Sequence, residues 1–537
     1  MNLLSAKLQI LAIAAGFTAL VFGLQYSTGA YSATLNAYPD EAAHYVTGVM
    51  VDQMVRTGGF WKPLQFIESY YLHYPKVAIG HWPPFLYVVQ AAWTLVFDTS
   101  RSSVLFLQAV LGGLLGVVIF RSAQSFLGWA AAGVAIAYLI LPGVVPIQSM
   151  VMADSLLTMT MLLATLYFGK AVETRSFADT ALAGLFATLA IMTKGTGWAL
   201  FLIPGFAALL FRRFAFLFAK PTILTLALVL LICLPWQLYT AKMVVNGFEE
   251  SRPSLAYALA FLPASFDIFS HELGKGTLLL AAIGLYASLF RHRTPFWEVV
   301  LCSILAQLSL HLLTPAGMEF RKLLPFVPPL LLLAGAGALF CFERLPPKWR
   351  FAQSGAAVAL LLLCSAPSLP YPAKPTSIYP QLVAELDKLV GDNAAILISS
   401  GQTWDGEGAM VSEYTLLHPQ PRAYVLRASK LLSSQLWSGQ GYRTRFQRKE
   451  ELEQIIKTIP ISFIVFDHRP TPAPAPHHGA LAEFLREHAH QWSELRRYGP
   501  ADNPTVSIYK WEDPNFNAPA RVKVNLSDMI GRSVSNF

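Results

Sequence analysis

KLLPFVPPLLLLAGAGALFCF, residues 322–342, carries no charge after its leading lysine. A helix needs about 20 mostly apolar residues to cross roughly 30 Å of hydrocarbon, and this run supplies them. Similar runs recur at 8–28, 103–120, 126–141, 156–172, 178–193, 196–211, 222–240, 276–290, 297–313 and 352–369. The composition agrees: 54% of residues are hydrophobic, only 13% are charged, and the mean hydropathy is +0.46. These values are far from a soluble average. The chain therefore reads as mainly α, a polytopic transmembrane helical bundle of about 11–13 spans. Its first run follows Lys7 as a cleavable signal would, but the chain after it is itself membranous, so it reads as a retained anchor.

Charge placement sets the orientation. Lys170/Arg175, Arg212/Arg213/Lys220, Arg291/Arg293 and Arg344/Lys348/Arg350 fall in short connectors, as cytoplasmic loops require. The formal charge of +8 is thus explained by membrane orientation, and nucleic acid is not an expected partner. Segments 241–275 and 314–321 are then outside, together with everything after about residue 371; 29–82 is read as an outer loop too, although Arg121 prefers the inside and one crossing is then unaccounted for. The short run 83–97 is either a tilted span or a re-entrant segment. All four cysteines (Cys233, Cys302, Cys341, Cys364) lie in expected spans, without disulfide or zinc spacing.

Residues 1–371 form the expected transmembrane domain and 372–537 a small soluble α/β domain. In the latter, AAILISS, RAYVLRA, ISFIVFDH and TVSIYKW read as strands, while 379–390, 448–457 and 479–489 read as helices. The stretch 399–414, SSGQTWDGEGAMVSEY, reads as a Gly-punctuated loop, either ligand-binding or packed.

The outer segment 29–82 holds NAYPDEAAHY, residues 36–45. Asp40 and Glu41 stand at the start of an amphipathic helix running through EAAHYVTGVMVDQMVR. One reading makes Asp40 a helix cap and Glu41 a partner of the helix dipole. The other gives them to chemistry.

The wider pattern resembles the bacterial membrane glycosyltransferases of the C-type fold, related to protein O-mannosyltransferases and the lipid A aminoarabinose transferase. Six pieces carry the resemblance over about residues 5–370. They are the acidic pair Asp40-Glu41, Pro83-Pro84 in GHWPPFLY, Asp154 in MVMADSLLT, the Thr-Lys-Gly of GLFATLAIMTKGTGW, LPWQLY, and EFRKLLPFVPP with Arg321 and Lys322. One departure stands out. Many relatives carry a lysine just before the proline pair, whereas this chain has His81-Trp82, leaving Lys76 or Lys275 to replace that charge.

What the resemblance implies is a sugar donor activated on a polyprenyl phosphate, and a lipid, glycan or protein acceptor, at the outer face of a bacterial inner membrane. Membrane lipids are expected partners and no organic cofactor is expected. Asp40, with Glu41 beside it, would take the acceptor's proton. His81, Pro83, Pro84, Asp154, Lys275, Arg321 and Lys322 would bind substrate, the cations steadying the departing phosphate. His271 with Glu41 offers a two-ligand divalent metal site, zinc or manganese by donor type. His271 also reads as an ordinary surface histidine, Asp154 as a polar helix start, and Lys194 as a snorkelling residue. The rival is a transporter or flippase for lipid-linked sugars, though such carriers place polar groups near the bilayer midplane.

Overall fold

The computed structural model describes residues 3–245, 254–315, 317–346, 349–365, 370–401, 405–435, 441–499, 505–512, 522–525 and 532–536. The chain opens with α1 (Leu3–Ser27), followed by α2 (Pro39–Arg56), α3 (Pro63–His73) and α4 (Phe85–Val96). Then come α5 (Arg101–Leu127), α6 (Ala132–Leu139), the short α7 (Val144–Gln148), α8 (Asp154–Thr174) and α9 (Phe177–Ile191). Next are α10 (Ile203–Phe211), α11 (Phe214–Leu217), α12 (Lys220–Val245), α13 (Leu255–Glu272) and α14 (Lys275–Tyr286). The helical region closes with α15 (Pro295–Leu313), α16 (Phe320–Leu323), α17 (Val327–Cys341) and α18 (Arg350–Cys364).

Among the described residues, six helical stretches are long and apolar enough to cross a membrane, or seven if the bent pair α13–α14 counts as one. That is fewer than the run count suggested, because several apolar runs form shorter helices: Phe85–Val96, Phe177–Ile191, Gly195–Phe211 and Phe351–Cys364. The stretch 101–139 is no rod. The backbone takes a positive φ of 58° at Gly128, and the Trp129 ring returns to within 5.7 Å of Phe120. Helices α13 and α14 meet at 111°, with Gly274 at φ 83° in the bend.

Basic connectors gather at one end of the bundle. Arg213 and Arg293 both pair with Glu298, at 2.9 and 2.8 Å, and His292 reaches Glu343 at 3.1 Å. Helix α15 runs from this end for about 28 Å, and at its far end His311 Nε2 lies 3.2 Å from the carbonyl of Lys322.

Helix α4 stays at that far end. Its 12 residues extend about 18 Å, too short to cross alone. It packs along α2: the His44 and Tyr87 rings sit 5.9 Å apart, and Thr94 donates to Asp52 at 2.9 Å. Arg101, at the start of α5, then binds Glu413 of the α/β region at 2.6 Å.

After α19 (Tyr379–Leu386) come β1 (Ala395–Ser400), α20 (Asp405–Leu417), β2 (Tyr424–Arg427) and α21 (Ala428–Leu431). A small ladder of β3 (Ser433–Ser434) and β4 (Arg443–Thr444) precedes α22 (Lys449–Thr458), β5 (Ile461–Asp467) and α23 (Pro476–Glu487). β6 (Trp492–Tyr498) and β7 (Val506–Trp511) follow, and β8 (Lys523–Asn525) pairs with β9 (Ser533–Ser535). The main sheet runs β2-β1-β5-β7-β6, with the first three strands parallel and the last two antiparallel additions. Residues 405–414, expected in a loop, lie within α20, while 402–404 fall outside the described residues.

Sheet and first connector share one core. Tyr45, Tyr70 and Tyr74 join Leu382, Met410, Tyr414 and Val465 in a continuous apolar cluster. Tyr70 and Tyr74 close it by donating to the carbonyls of Pro419 and His418, at 3.0 and 2.9 Å.

Candidate active site

Helix α2 begins at Pro39 after Tyr38, which sits extended in the cap position and makes no side-chain capping bond. The capping reading of Asp40 is therefore corrected. Asp40 is already inside the helix, and its Oδ2 lies 2.6 Å from Nη1 of Arg321. Arg321 is held on its other edges too: Nε lies 2.8 Å from Glu319 Oε2, and Nη2 donates to the Tyr38 hydroxyl at 3.1 Å. Its guanidinium stacks 4.2 Å over the Tyr38 ring, and Lys322 pairs with Glu319 at 3.1 Å. Burial on its own would raise the Asp40 pKa, but the charges of Arg321, His44 and Lys194 outweigh it and hold the carboxyl below its usual range.

A second pair stands beside the first. Asp154 Oδ1 opens α8 and lies 2.7 Å from Lys194 Nζ. Its other oxygen is buried without a hydrogen-bond partner among the described residues. Lys194 is thus an ion-pair member, which corrects the snorkelling reading. Its position follows from the proline pair: Pro84 caps α4, and the Phe85 N–H donates to the Met192 carbonyl at 2.9 Å.

Two histidines complete the wall. His44, one turn beyond Asp40 on the same helix face, places Nδ1 3.1 Å from the Tyr87 hydroxyl and its ring 4.4 Å from Trp82. Burial pushes its pKa down to about 4 against the pull of Asp40 and Asp154, so the ring is neutral near pH 7. His81 stands edge-on to Trp82 at 4.5 Å, with Nδ1 3.3 Å from the Met243 carbonyl, and burial lowers its pKa as well.

Glu41 has a different task. Oε2 accepts from the Ala37 N–H at 2.9 Å, while Oε1 accepts from the Val151 N–H at 3.2 Å and meets Lys374 Nζ at 2.5 Å. It ties the start of α2 to the chain just before Asp154 and to the strap that leads into the α/β region. The expected metal pair does not form. Both Glu41 oxygens are engaged, and the Lys374 ammonium already supplies their countercharge. The His271 side chain is 83% exposed, next to Glu272 at 3.3 Å. Among the described residues no three His, Cys, Asp or Glu side chains gather as metal ligands. Lys275 is exposed at the start of α14, and no contact among the described residues links it to Asp40.

Asp40, His81, Pro83, Pro84, Asp154, Arg321 and Lys322 are thus drawn to one end of the bundle, and His271 and Lys275 are left at its rim. Sequence reading missed the roles of Lys194, His44, Glu319 and Lys374. Two signals were available: the four-residue spacing of Asp40 and His44, and the rule that an intramembrane lysine needs a partner.

Residues 81–239 match the model of the dolichyl-phosphate-mannose-protein mannosyltransferase family. No curated protein matches the sequence. Among solved structures, ArnT from Cupriavidus metallidurans bound to undecaprenyl phosphate has a TM-score of 0.55 at 13% identity, covering 96% of this chain and 100% of that one. The Archaeoglobus fulgidus oligosaccharyltransferase in the apo form has a TM-score of 0.52 at 12% identity, covering 97% of this chain and 77% of that one. AglB from the same organism, in complex with an inhibitory peptide and a dolichol-phosphate, has a TM-score of 0.50 at 12% identity, with coverage of 98% and 77%. Residues 81–239 thus match the sequence pattern of that mannosyltransferase family, and the chain as a whole shares the fold of these solved structures.

Proposed function

We propose that the protein moves a sugar from a polyprenyl-phosphate donor to an acceptor hydroxyl at the extracytoplasmic face of a bacterial inner membrane, inverting the anomeric carbon. The observation that carries this reading is the Asp40–Arg321 pair buried beside the Asp154–Lys194 pair at one end of an apolar bundle. The opposite end collects the basic connectors, which by the positive-inside rule is the cytoplasmic side. ArnT bound to undecaprenyl phosphate and AglB with dolichol-phosphate support a lipid phosphate as donor carrier.

The chemistry follows from the charges. Arg321 is the cation that a donor phosphate competes for, and its displacement from Asp40 has two effects. It neutralises the charge that grows on the departing phosphate, and it removes the partner that depresses the Asp40 pKa. Asp40 becomes a stronger base at the moment the donor is seated. It takes the acceptor's hydroxyl proton while the acceptor oxygen bonds to the anomeric carbon. The bond from that carbon to the phosphate oxygen breaks, its electron pair leaves with the lipid phosphate, and a single displacement inverts the centre. The free Asp154 oxygen, fixed by Lys194, is placed to accept a hydrogen bond from a sugar hydroxyl.

The test is transfer of radiolabelled sugar from a polyprenyl-phosphate sugar by purified protein in detergent, where transport has no meaning. Acceptor-bound label with inverted configuration is expected. A protein that binds the donor but yields no transfer across lipid, glycan and protein acceptors would favour the carrier reading.

A further inference from the structure

At the bundle mouth Arg321, Lys322 and Lys194 each have a carboxylate, but the seam between the first connector and the sheet is different. Lys76 lies in the connector after α3, is only 6% exposed, and its ammonium has no hydrogen-bond or ion-pair partner among the described residues. The guanidinium of Arg427, at the carboxyl end of β2, donates to the carbonyl of Pro75, the residue before it, at 3.3 Å. Lys430 follows one turn later on α21, also without a partner among the described residues. The charges of Arg427 and Lys430 both act on Lys76, and that of Arg445 reaches Lys430.

Among the described residues, the carboxylate that bonds directly to this group is Glu407, and it is spent. Glu407 accepts from Arg427 Nε at 3.0 Å, from the Ser429 N–H at 2.9 Å and from the Ser429 hydroxyl. His477 adds a buried ring nitrogen, Nε2, with no partner among the described residues and within the field of Arg427. Burial and neighbouring cations lower the Lys76 pKa to about 7 and that of Lys430 to about 8. A buried cation without a counterion is costly, and surrounding it with more cations raises that cost unless an anion arrives.

We propose that Lys76, Arg427 and Lys430 form a subsite for a phosphate-class anion carried by a substrate, built jointly by the outer connector and the α/β region. Asp40 is close enough for its charge to act on Lys76, so the subsite adjoins the transfer centre. It deepens the transfer reading above and rests on it for the identity of the anion's carrier. That carrier is the donor, through its own phosphate, or an acceptor bearing a second anionic group.

The experiment has two arms. In the first, thermal unfolding of the full-length protein in detergent is followed with inorganic pyrophosphate against sodium chloride at matched ionic strength. Binding to the native state alone raises the unfolding temperature. Wild type should be stabilised by pyrophosphate, and Lys76→Gln and Lys430→Gln should each weaken its apparent affinity about tenfold or more. Lys76→Gln removes an uncompensated buried charge, so the anion-free variant should unfold no earlier than wild type. Lys430→Gln, at a partly buried position, checks the result independently. Equal stabilisation of wild type and both variants, or none beyond chloride in wild type, overturns the subsite. This arm needs no turnover, so it stands even if transfer itself is refuted. In the second arm, the KM values of donor and acceptor are measured separately for the variants. A rise confined to the donor assigns its phosphate, and a rise confined to the acceptor assigns an acceptor anion. Unchanged KM values for both overturn the substrate role.

Discussion

Two buried charge clusters lie at the same end of this molecule and are built on opposite plans. Around Asp40 the carboxylates and cations alternate: Asp40 with Arg321, Glu319 with Arg321 and Lys322, Asp154 with Lys194. Around Lys76 the cations collect, and Glu407, the carboxylate that bonds directly to them among the described residues, is already bound by Arg427 and Ser429. The first cluster is at rest until a ligand competes for its ions. The second is incomplete until an anion enters. A balanced cluster should lose catalysis when one member is removed, whereas an unbalanced one should gain stability or lose only ligand affinity.

The largest expected effect is at Arg321. Arg321→Gln removes the phosphate's cation and strands Asp40, so turnover should fall roughly 10²- to 10³-fold. Stability should also drop by about 3–5 kcal/mol, as for a buried pair broken on one side. Transfer assays and chemical unfolding in detergent measure the two losses, and a change in neither would mean that Asp40 and Arg321 do not act as a pair.

Lys374→Met comes next. It leaves Glu41 buried at 0% exposure without its ammonium, and a loss of about 3–5 kcal/mol is expected. Because Lys374 acts on structure, donor KM in protein that remains folded should change little. Unaltered stability would contradict the role given to Glu41.

Asp154→Asn keeps the shape but leaves Lys194 unpaired and weakens the free acceptor oxygen. A rise of about tenfold in donor KM is expected, on the order of one charged hydrogen bond. A change confined to the acceptor KM would move Asp154 to the other side of the reaction.

The remaining effect is on pH. His44, His477 and His478 have pKa values lowered to about 4 by burial, from an ordinary value near 6.5. Between these values the unfolded chain binds more protons than the folded one, so stability rises with pH. It should be complete above about pH 6.5 and decline progressively as pH falls towards 4. Asp40, whose pKa is depressed, adds stability above the ordinary aspartate pKa that is lost only as pH falls through its lower folded value. Thermal unfolding at pH 7.5, 6 and 5 checks the sign. Stability rising on acidification would contradict it, and His478→Asn should make the decline shallower.

Why some of this was legible in sequence and some was not comes down to range. Apolar runs and basic connectors are local signals, so the bundle and its polar end could be read directly. Asp40 and Arg321 could be singled out because short motifs mark each of them, but their 2.6 Å contact joins residues far apart in the chain. Lys374 meets Glu41 across an even longer stretch, and nothing in YPAKPTS announces it. Lys194 was set aside because snorkelling is a local explanation, and its true partner lies on another helix. In the α/β region, α20 was hidden by its glycines. Gly408 is needed there because an added Cβ would fall 2.5 Å from the Asn36 side chain of the connector, so long-range packing overrides local propensity. β6, WSELRRY, escaped notice because an edge strand with its charges outward does not alternate as a buried one does.

The most direct test of Asp40 as the base is single-turnover sugar transfer by Asp40→Asn in detergent, with donor binding measured in parallel. The amide preserves size but cannot take the acceptor's proton. Donor should still bind, Arg321 should stay in place through Glu319 and Tyr38, and the transfer rate should fall roughly 10²-fold or more. Transfer at the wild-type rate by a folded Asp40→Asn protein would contradict the assignment.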